Sequence, residues 1–271
     1  MAVLVSEQGH VASWGGVSSE AEALLAAMAP ASFDLSMTGD TEDITTLDAT
    51  PPTGRAFLPL RKQWTATLNG FLTGYHGGSV CTIASGGSEY DAHVQSFGLT
   101  ITAGVVETTE LGSADPDDKW KAFQPTIIST TGTITAVVDS ATAITPPPAF
   151  GTTSLSTFTI TYKTGHTIAF AGFYTATNIG VPNNGLQQVQ FTIQGSGAVT
   201  FAGATTPIIA AGAYGGTPNY TDIELTLNSD SNNTYVGDAF WNTITLACDR
   251  NATTKITVAA TGTGALVVSA A

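Results

Sequence analysis

Charge is scarce in this chain. Asp, Glu, Lys and Arg make up 11% of its 271 residues, against roughly 25% in an average globular domain. What charge there is leans one way, with 21 acidic residues to 8 basic and a formal net charge of −13. Neutralising phosphates with Lys and Arg is therefore not an available binding force, and tight nucleic-acid binding is not expected. Cysteine is scarcer still. Cys81 and Cys248 lie far apart, in the spacing of neither a metal site nor a redox motif, and are expected to be small buried residues.

Long apolar runs are also missing. No stretch reaches the roughly 18 apolar residues of a membrane span, and the start, MAVLVSEQGH, has neither a basic n-region nor a long apolar h-region. The expectation is an unexported soluble product with no membrane partner.

Recognisable catalytic chemistry is absent from the pattern: no HExxH, no CxxC, no Gly-x-Ser-x-Gly elbow and no GxxxxGK loop. His10, His76, His93 and His166 are scattered singly. Asp115, Asp117 and Asp118, or Asp230 with Asn232, offer hard oxygens but not the spacing of a defined Ca²⁺ loop. Asn-x-Thr occurs at Asn219, Asn232 and Asn251, which matters only in a secretory context. No enzyme activity, cofactor or metal is expected.

What fills the chain instead is Thr, Ser, Ala and Gly arranged with a period of two, the mark of half-buried strands. Phe33, Leu35 and Met37 alternate with Asp34 and Ser36, and Trp64, Ala66 and Leu68 alternate with Thr65, Thr67 and Asn69. Before this, SSEAEALLAAM predicts one short helix with Ser18 or Ser19 as its cap. The PPP run at Pro146–Pro148 marks a break.

A repeat is the strongest signal. SFDLSMTGDTEDITTL (32–47) aligns with SFGLTITAGVVETTEL (96–111), matching at Ser32, Phe33, Leu35, Thr45 and Leu47, with Met37 on Ile101. AFLPLRKQWTATLNGFL (56–72) then aligns with AFQPTIISTTGTITAVV (122–138), so that Phe57 and Pro59 fall on Phe123 and Pro125. Each copy is expected to be two strands joined by an acidic, Pro-containing loop too long for a tight turn. The expected fold class is mainly β, a sandwich or half-barrel with one short helix and an internally duplicated hairpin unit. Four segments follow: 1–30, an N-terminal arm; 31–95, a first hairpin unit; 96–205, a second, fuller unit; and 206–271, either a small sandwich or further strands of the main sheet.

Two sets of residues stand out. Thr131, Thr133 and Thr135 alternate with Gly132, Ile134 and Ala136, while Gln188, Gln190, Thr192 and Gln194 alternate with Val189, Phe191 and Ile193. In the loops, Asp40, Glu42, Asp43 and Asp48 face Asp115, Asp117 and Asp118 across the repeat. Arg55, Arg61, Lys62, Lys119 and Lys121, five of the eight basic residues, lie in or beside them. Such clustering suits charge pairs that set register between subunits, or simply local surface ion pairs.

The run DDKWKAFQPTIISTTGTITAVVD, with Trp120, Phe123 and Pro125, followed by AFAGFYTATN and GLQQVQFTIQGSGAV, with Gly195, Ser196 and Gly197, resembles the tail tube proteins of long-tailed (siphovirus-like) phages. The likeness covers 97–200, with 32–72 as a partial second copy. It implies long hairpins that pair edge to edge between subunits and close an inner barrel, six such units to a ring, and rings stacked into a virion tail.

The implied partners are other copies of the chain and the tape measure, tail tip and terminator proteins, with DNA passing through and not specifically bound. Assembly would take place in the host cytoplasm. The resemblance would put Thr131, Thr133, Thr135, Gln190 and Thr192 on the lumen, and Asp40, Glu42, Asp43, Arg55, Asp115, Asp117, Asp118, Lys119 and Trp120 at intersubunit loops. A duplicated hairpin leaves either three or six chains to the ring. A decoration protein, fibre or adhesin built from β-sandwiches is the alternative, and a carbohydrate-active enzyme with paired carboxylates ranks last.

Overall fold

A computed structural model of the chain describes residues 2–5, 11–15, 28–44, 55, 57–76, 82–85, 88–89, 94–109, 120–138, 155–163, 166–180, 187–202, 221–226, 234–249 and 252–269. Their regular structure is all β: β1 (Ala2–Val5), β2 (Val11–Gly15), β3 (Met28–Asp43), β4 (Phe57–His76), β5 (Thr82–Ser85), β6 (Ser88–Glu89), β7 (Val94–Glu107), β8 (Phe123–Val138), β9 (Ser156–Lys163), β10 (His166–Gly180), β11 (Gln187–Ala202), β12 (Thr221–Thr226), β13 (Thr234–Asp249) and β14 (Thr253–Ser269). All named strand pairs are antiparallel. The helix expected over 18–28 lies outside the described residues except for Met28, which opens β3. Pro30 follows inside that strand, at a register shift between Pro30 and Ser32. A bulge is one of the few strand positions that tolerates a residue without an N–H.

The strands form one continuous network. Its main run is β3-β4-β14-β13-β7-β8-β11-β10-β9-β5-β6, and β12-β2-β1 branches from β13. The branch point is possible because β13 uses one edge for β14 and divides the other, giving Thr234–Ala239 to β12 and Thr243–Asp249 to β7. β12, β13 and β14 are thus further strands of the main sheet, and β1 and β2 join it through β12.

The period-two pattern decides which side of the sheet is sealed. Gly70, Ile256, Leu246, Leu99, Gly132, Ile193 and Tyr174 are successive cross-strand neighbours from β4 to β10, and every one is buried. This row belongs to a single apolar core that also holds Trp64, Phe158, Phe170 and Phe191. Phe158 stacks on Phe170 and meets Tyr174 edge-on, and Tyr174 touches Phe191. Cys248 is buried, 4% exposed, as expected of a small apolar thiol; Cys81 lies outside the described residues.

Bulges recur at corresponding places. In β3–β4 the register shifts between Pro30 and Ser32 and between Gly39 and Thr41. In β7–β8 it shifts between Val94 and Ser96 and between Ala103 and Val105. The paired residues correspond as well: Phe33 with Leu68 and Thr41 with Pro59 in one hairpin, Phe97 with Ile134 and Val105 with Pro125 in the other.

Candidate functional site

The face of the sheet opposite the core is built from hydroxyls and amides. Ser32, Asn69, Thr257, Thr245, Thr100, Thr131 and Gln194 form one unbroken cross-strand row over seven strands. Members of the row bond to one another along it. Asn69 Nδ2 donates to Ser32 Oγ at 3.3 Å, Thr257 Oγ1 donates to Asn69 Oδ1 at 2.9 Å, and the Thr100 and Thr245 hydroxyls lie 3.5 Å apart. Next to it runs Asp34, Thr67, Ala259, Thr243, Thr102 and Ser129. On the other side run Gly98, Thr133, Thr192 and Ala176, then Ser96, Thr135, Gln190 and Asn178. Asp34 is the charged residue of these rows, and Lys255 and Asp249 stand in line with the last two.

Strand alternation alone places the residues singled out from sequence on this face. Thr131, Thr133 and Gln190 are exposed, and Thr135 and Thr192 are half-buried. Their alternates Ile134, Ala136, Phe191 and Ile193 are 2% exposed or less. The same face carries Thr65, Thr67 and Asn69, already marked as the polar alternates of Trp64, Ala66 and Leu68, and Thr100, Thr102, Thr243, Thr245 and Thr257, which were not singled out. The signal was present in the alternating Thr of QWTATLN, LTIT, WNTIT and KITVAAT.

Beyond the sheet, the two hairpins continue as two-stranded arms. β3 and β4 remain paired out to Asp43 and Phe57, and β7 and β8 out to Glu107 and Phe123. Asp40, Glu42 and Asp43, expected in a connecting loop, are instead the last residues of β3, because pairing with Phe57–Lys62 carries the strand through them. All three are exposed, as is Arg55. Large apolar side chains are exposed here too, among them Phe57, Leu58, Val106 and Ile127, the last at 85%.

Trp120 and Lys121 strap the arms together within one chain. Lys121 N donates to Lys62 O at 2.8 Å, and Gly264 N donates to Lys121 O at 3.0 Å. Lys62 Nζ sits 5.8 Å from the centre of the Trp120 ring, within cation–π range. Lys121 Nζ reaches Asp40 on one arm at 2.7 Å and Glu107 on the other at 3.7 Å. The hydrogen bond to Asp40, helped by the Glu107 charge, raises the lysine above its ordinary 10.5. Asp115, Asp117, Asp118 and Lys119 lie outside the described residues. Among the described residues no group of three or more His, Cys, Asp or Glu is placed to hold a metal ion, and no helix is long and apolar enough to cross a membrane.

No family model matches the sequence, and neither does any curated protein. Among solved structures, the chain is similar to one in "Virion of native gene transfer agent (GTA) particle", at 15% identity and a TM-score of 0.32, over 41% of this chain and 85% of that one. It is similar also to one in "Tail of empty GTA particle computed with helical refinement, C6 symmetry", again at 15% identity and TM-score 0.32, over 40% of this chain and 81% of the other.

Proposed function

We propose that the chain is a non-enzymatic structural subunit of a phage-type tail tube, in which copies close a barrel around a channel for DNA and the rings stack. The observation that carries this is the polar face, a hydroxyl and amide surface continuous over the sheet and backed on its other side by a sealed apolar core. A wall of this kind hydrates a passing duplex without gripping it. Thr, Ser, Asn and Gln hydrogen-bond water, and the rows hold no Arg. A net charge of −13 per chain repels phosphate, with a range of roughly 10 Å in salt.

Exposed sheet edges and apolar arm tips support the same reading. Long free edges are an aggregation hazard in a monomer, and closing them across subunits turns the hazard into the assembly mechanism. In this assembly Thr131, Thr133, Thr135, Gln190 and Thr192 line the lumen. Glu42, Asp43 and Arg55, with Asp115, Asp117, Asp118 and Lys119, meet a neighbouring subunit or ring, while Asp40 and Trp120 brace the arms behind them. Tape measure, tail tip and terminator proteins are the remaining partners, in the virion.

Electron microscopy of the purified protein or its parent particle tests this. Stacked rings with a central channel are expected; discrete monomers or surface knobs would replace the tube with a decoration or fibre module.

A further inference from the structure

The chain contains one strand joint that is complete and the two halves of another that is not. The complete joint is β13 against β7, where Thr243 to Asp249 pair with Thr102 to Ser96. It joins two four-stranded groups, β3-β4-β14-β13 and β7-β8-β11-β10.

These groups match strand for strand. β3–β4 and β7–β8 share pairing and bulges, as described above. In β13–β14 the register shifts between Gly237 and Ala239 and between Trp241 and Thr243; in β10–β11 it shifts between Phe170 and Gly172 and between Tyr174 and Ala176. The partner residues step alike, Leu266 to Gly262 in one and Val199 to Gly195 in the other. Gly264 and Gly197 take the same left-handed conformation at φ 84° and 90°, within GTGA and GSGA. The flanking strands agree too: Thr221 and Thr226 of β12 sit on Ala239 and Thr234 as Ser156 and Thr161 of β9 sit on Gly172 and Thr167.

Matching positions differ in one respect. β13 spends the free part of its edge on β7, whereas on the corresponding edge of β10 the pairing with β9 ends at Gly172, and no described strand covers Phe173–Gly180. Likewise β7 is held by both β8 and β13, whereas among the described strands β3 pairs with β4 alone. Side chains record the gap: Leu246 and Ile101 in the complete joint are each 1% exposed, and their counterparts Ile179 and Met37 are 58% and 51% exposed.

We infer that Ala176–Gly180 of one chain pairs antiparallel with Asp34–Thr38 of a second copy, in the register of the internal joint. Ala176 then faces Thr38, Thr177 faces Met37, Asn178 faces Ser36, and Ile179 faces Leu35. The chemistry is complementary. Asn178 with Ser36 takes the place of the Thr245–Thr100 hydroxyl pair, and Ile179 with Leu35 takes the place of Leu246 with Leu99. Phe173 and Ile179 gain the cover that Phe240 and Leu246 already have. The inference rests on the tube reading for its closure, since each chain then supplies two equivalent sheets and the six-unit ring implied by the family resemblance needs three chains.

Full-length chain in a Cys81→Ser background tests the joint. Ser36→Cys and Asn178→Cys variants, mixed and mildly oxidised, are expected to give a disulfide-linked dimer, and the double variant a ladder of covalent multimers. Either variant alone is expected to give neither. Absence of the mixed dimer, or a dimer of Asn178→Cys alone, overturns the register.

Ile179→Asp changes an exposed side chain, so the monomer should keep its circular dichroism and Tm while losing assembly. Adding Leu35→Lys should restore assembly. Wild-type assembly of Ile179→Asp overturns the joint. Linked multimers that never enclose a channel would sink the tube and keep the joint; tubes that form without the 36–178 link would do the reverse. Native mass spectrometry of a ring should count three chains, and six would overturn the equivalence of the two groups.

Discussion

The hairpins β3–β4 and β7–β8 share a backbone plan and differ in their neighbours. β7–β8 is hydrogen-bonded on both outer edges, by β13 and β11; β3–β4 is bonded on one, by β14. The side chains differ accordingly. Where β7 carries Ile101 at 1% exposure, β3 carries Met37 at 51%. Where β8 carries Thr130, β4 carries Trp64, whose indole fills the space over Gly237 and Gly262 and donates to Gly264 O at 3.3 Å. At the position corresponding to Gly262, the neighbour over Gly195 is Thr130. The same bulged frame therefore tolerates a large or a small plug, and the glycine opposite sets the limit on what fits.

The hardest way to break the comparison is to charge the core both hairpins share. Ile134→Asp and Phe191→Asp bury a carboxylate at positions 1% and 2% exposed, with an expected loss of more than about 4 kcal/mol. Circular dichroism should find no soluble folded protein; a wild-type Tm would mean this is not the core.

Next in size, Trp64→Ala should cost about 3–5 kcal/mol in urea denaturation. Thr130→Val, at the matching position, should be neutral or stabilising by under about 1 kcal/mol, because the buried Thr130 hydroxyl has no partner to lose. Equal losses at the two sites would erase the distinction between the plugs.

Smaller again is the strap that holds the arms. Lys121→Ala should lower Tm slightly at neutral pH. A lysine whose folded value is raised stabilises fully below the unfolded 10.5 and loses that contribution as pH climbs through the folded value. The gap between wild type and variant should thus close above pH 10.5, and a gap that widens there would contradict the ion pair. Thr133→Lys on the exposed polar face should leave stability within about 0.5 kcal/mol. If the polar face lines the proposed channel, particles built from it should eject DNA more slowly, most of all at low salt. Unchanged ejection at every salt concentration would remove Thr133 from the lumen.

Much of this was legible before any coordinates. The alternation of Phe33, Leu35 and Met37 and of Trp64, Ala66 and Leu68 marked β3 and β4, and the segments 32–47 and 96–111, aligned in sequence, open hairpins whose register shifts fall at corresponding places. The matching pair β10–β11 and β13–β14 escaped notice although GSGA and GTGA are visible in the chain. Its other correspondences are of size and register, such as Tyr174 with Trp241 and Ile193 with Ala260, and simple identity does not register those. The polar face was half found: Thr133 and Gln190 sit in long alternating runs, whereas Thr245 and Thr257 alternate only over the short runs WNTIT and KITVAAT.

Composition and periodicity by themselves determined that this protein is built from strands and that those strands have one apolar and one hydroxyl-rich side. These are local properties, since side chains alternate along every strand whatever lies beside it. Which strand lies beside which was decided only by the tertiary structure. It placed β14 between β4 and β13, split one edge of β13 between β12 and β7, and left β10 and β3 each with an edge that no described strand covers. Pairing is a contest among edges distant in sequence, settled by register, bulges and the fit of Trp64 over Gly262, and no short stretch of the chain contains its outcome.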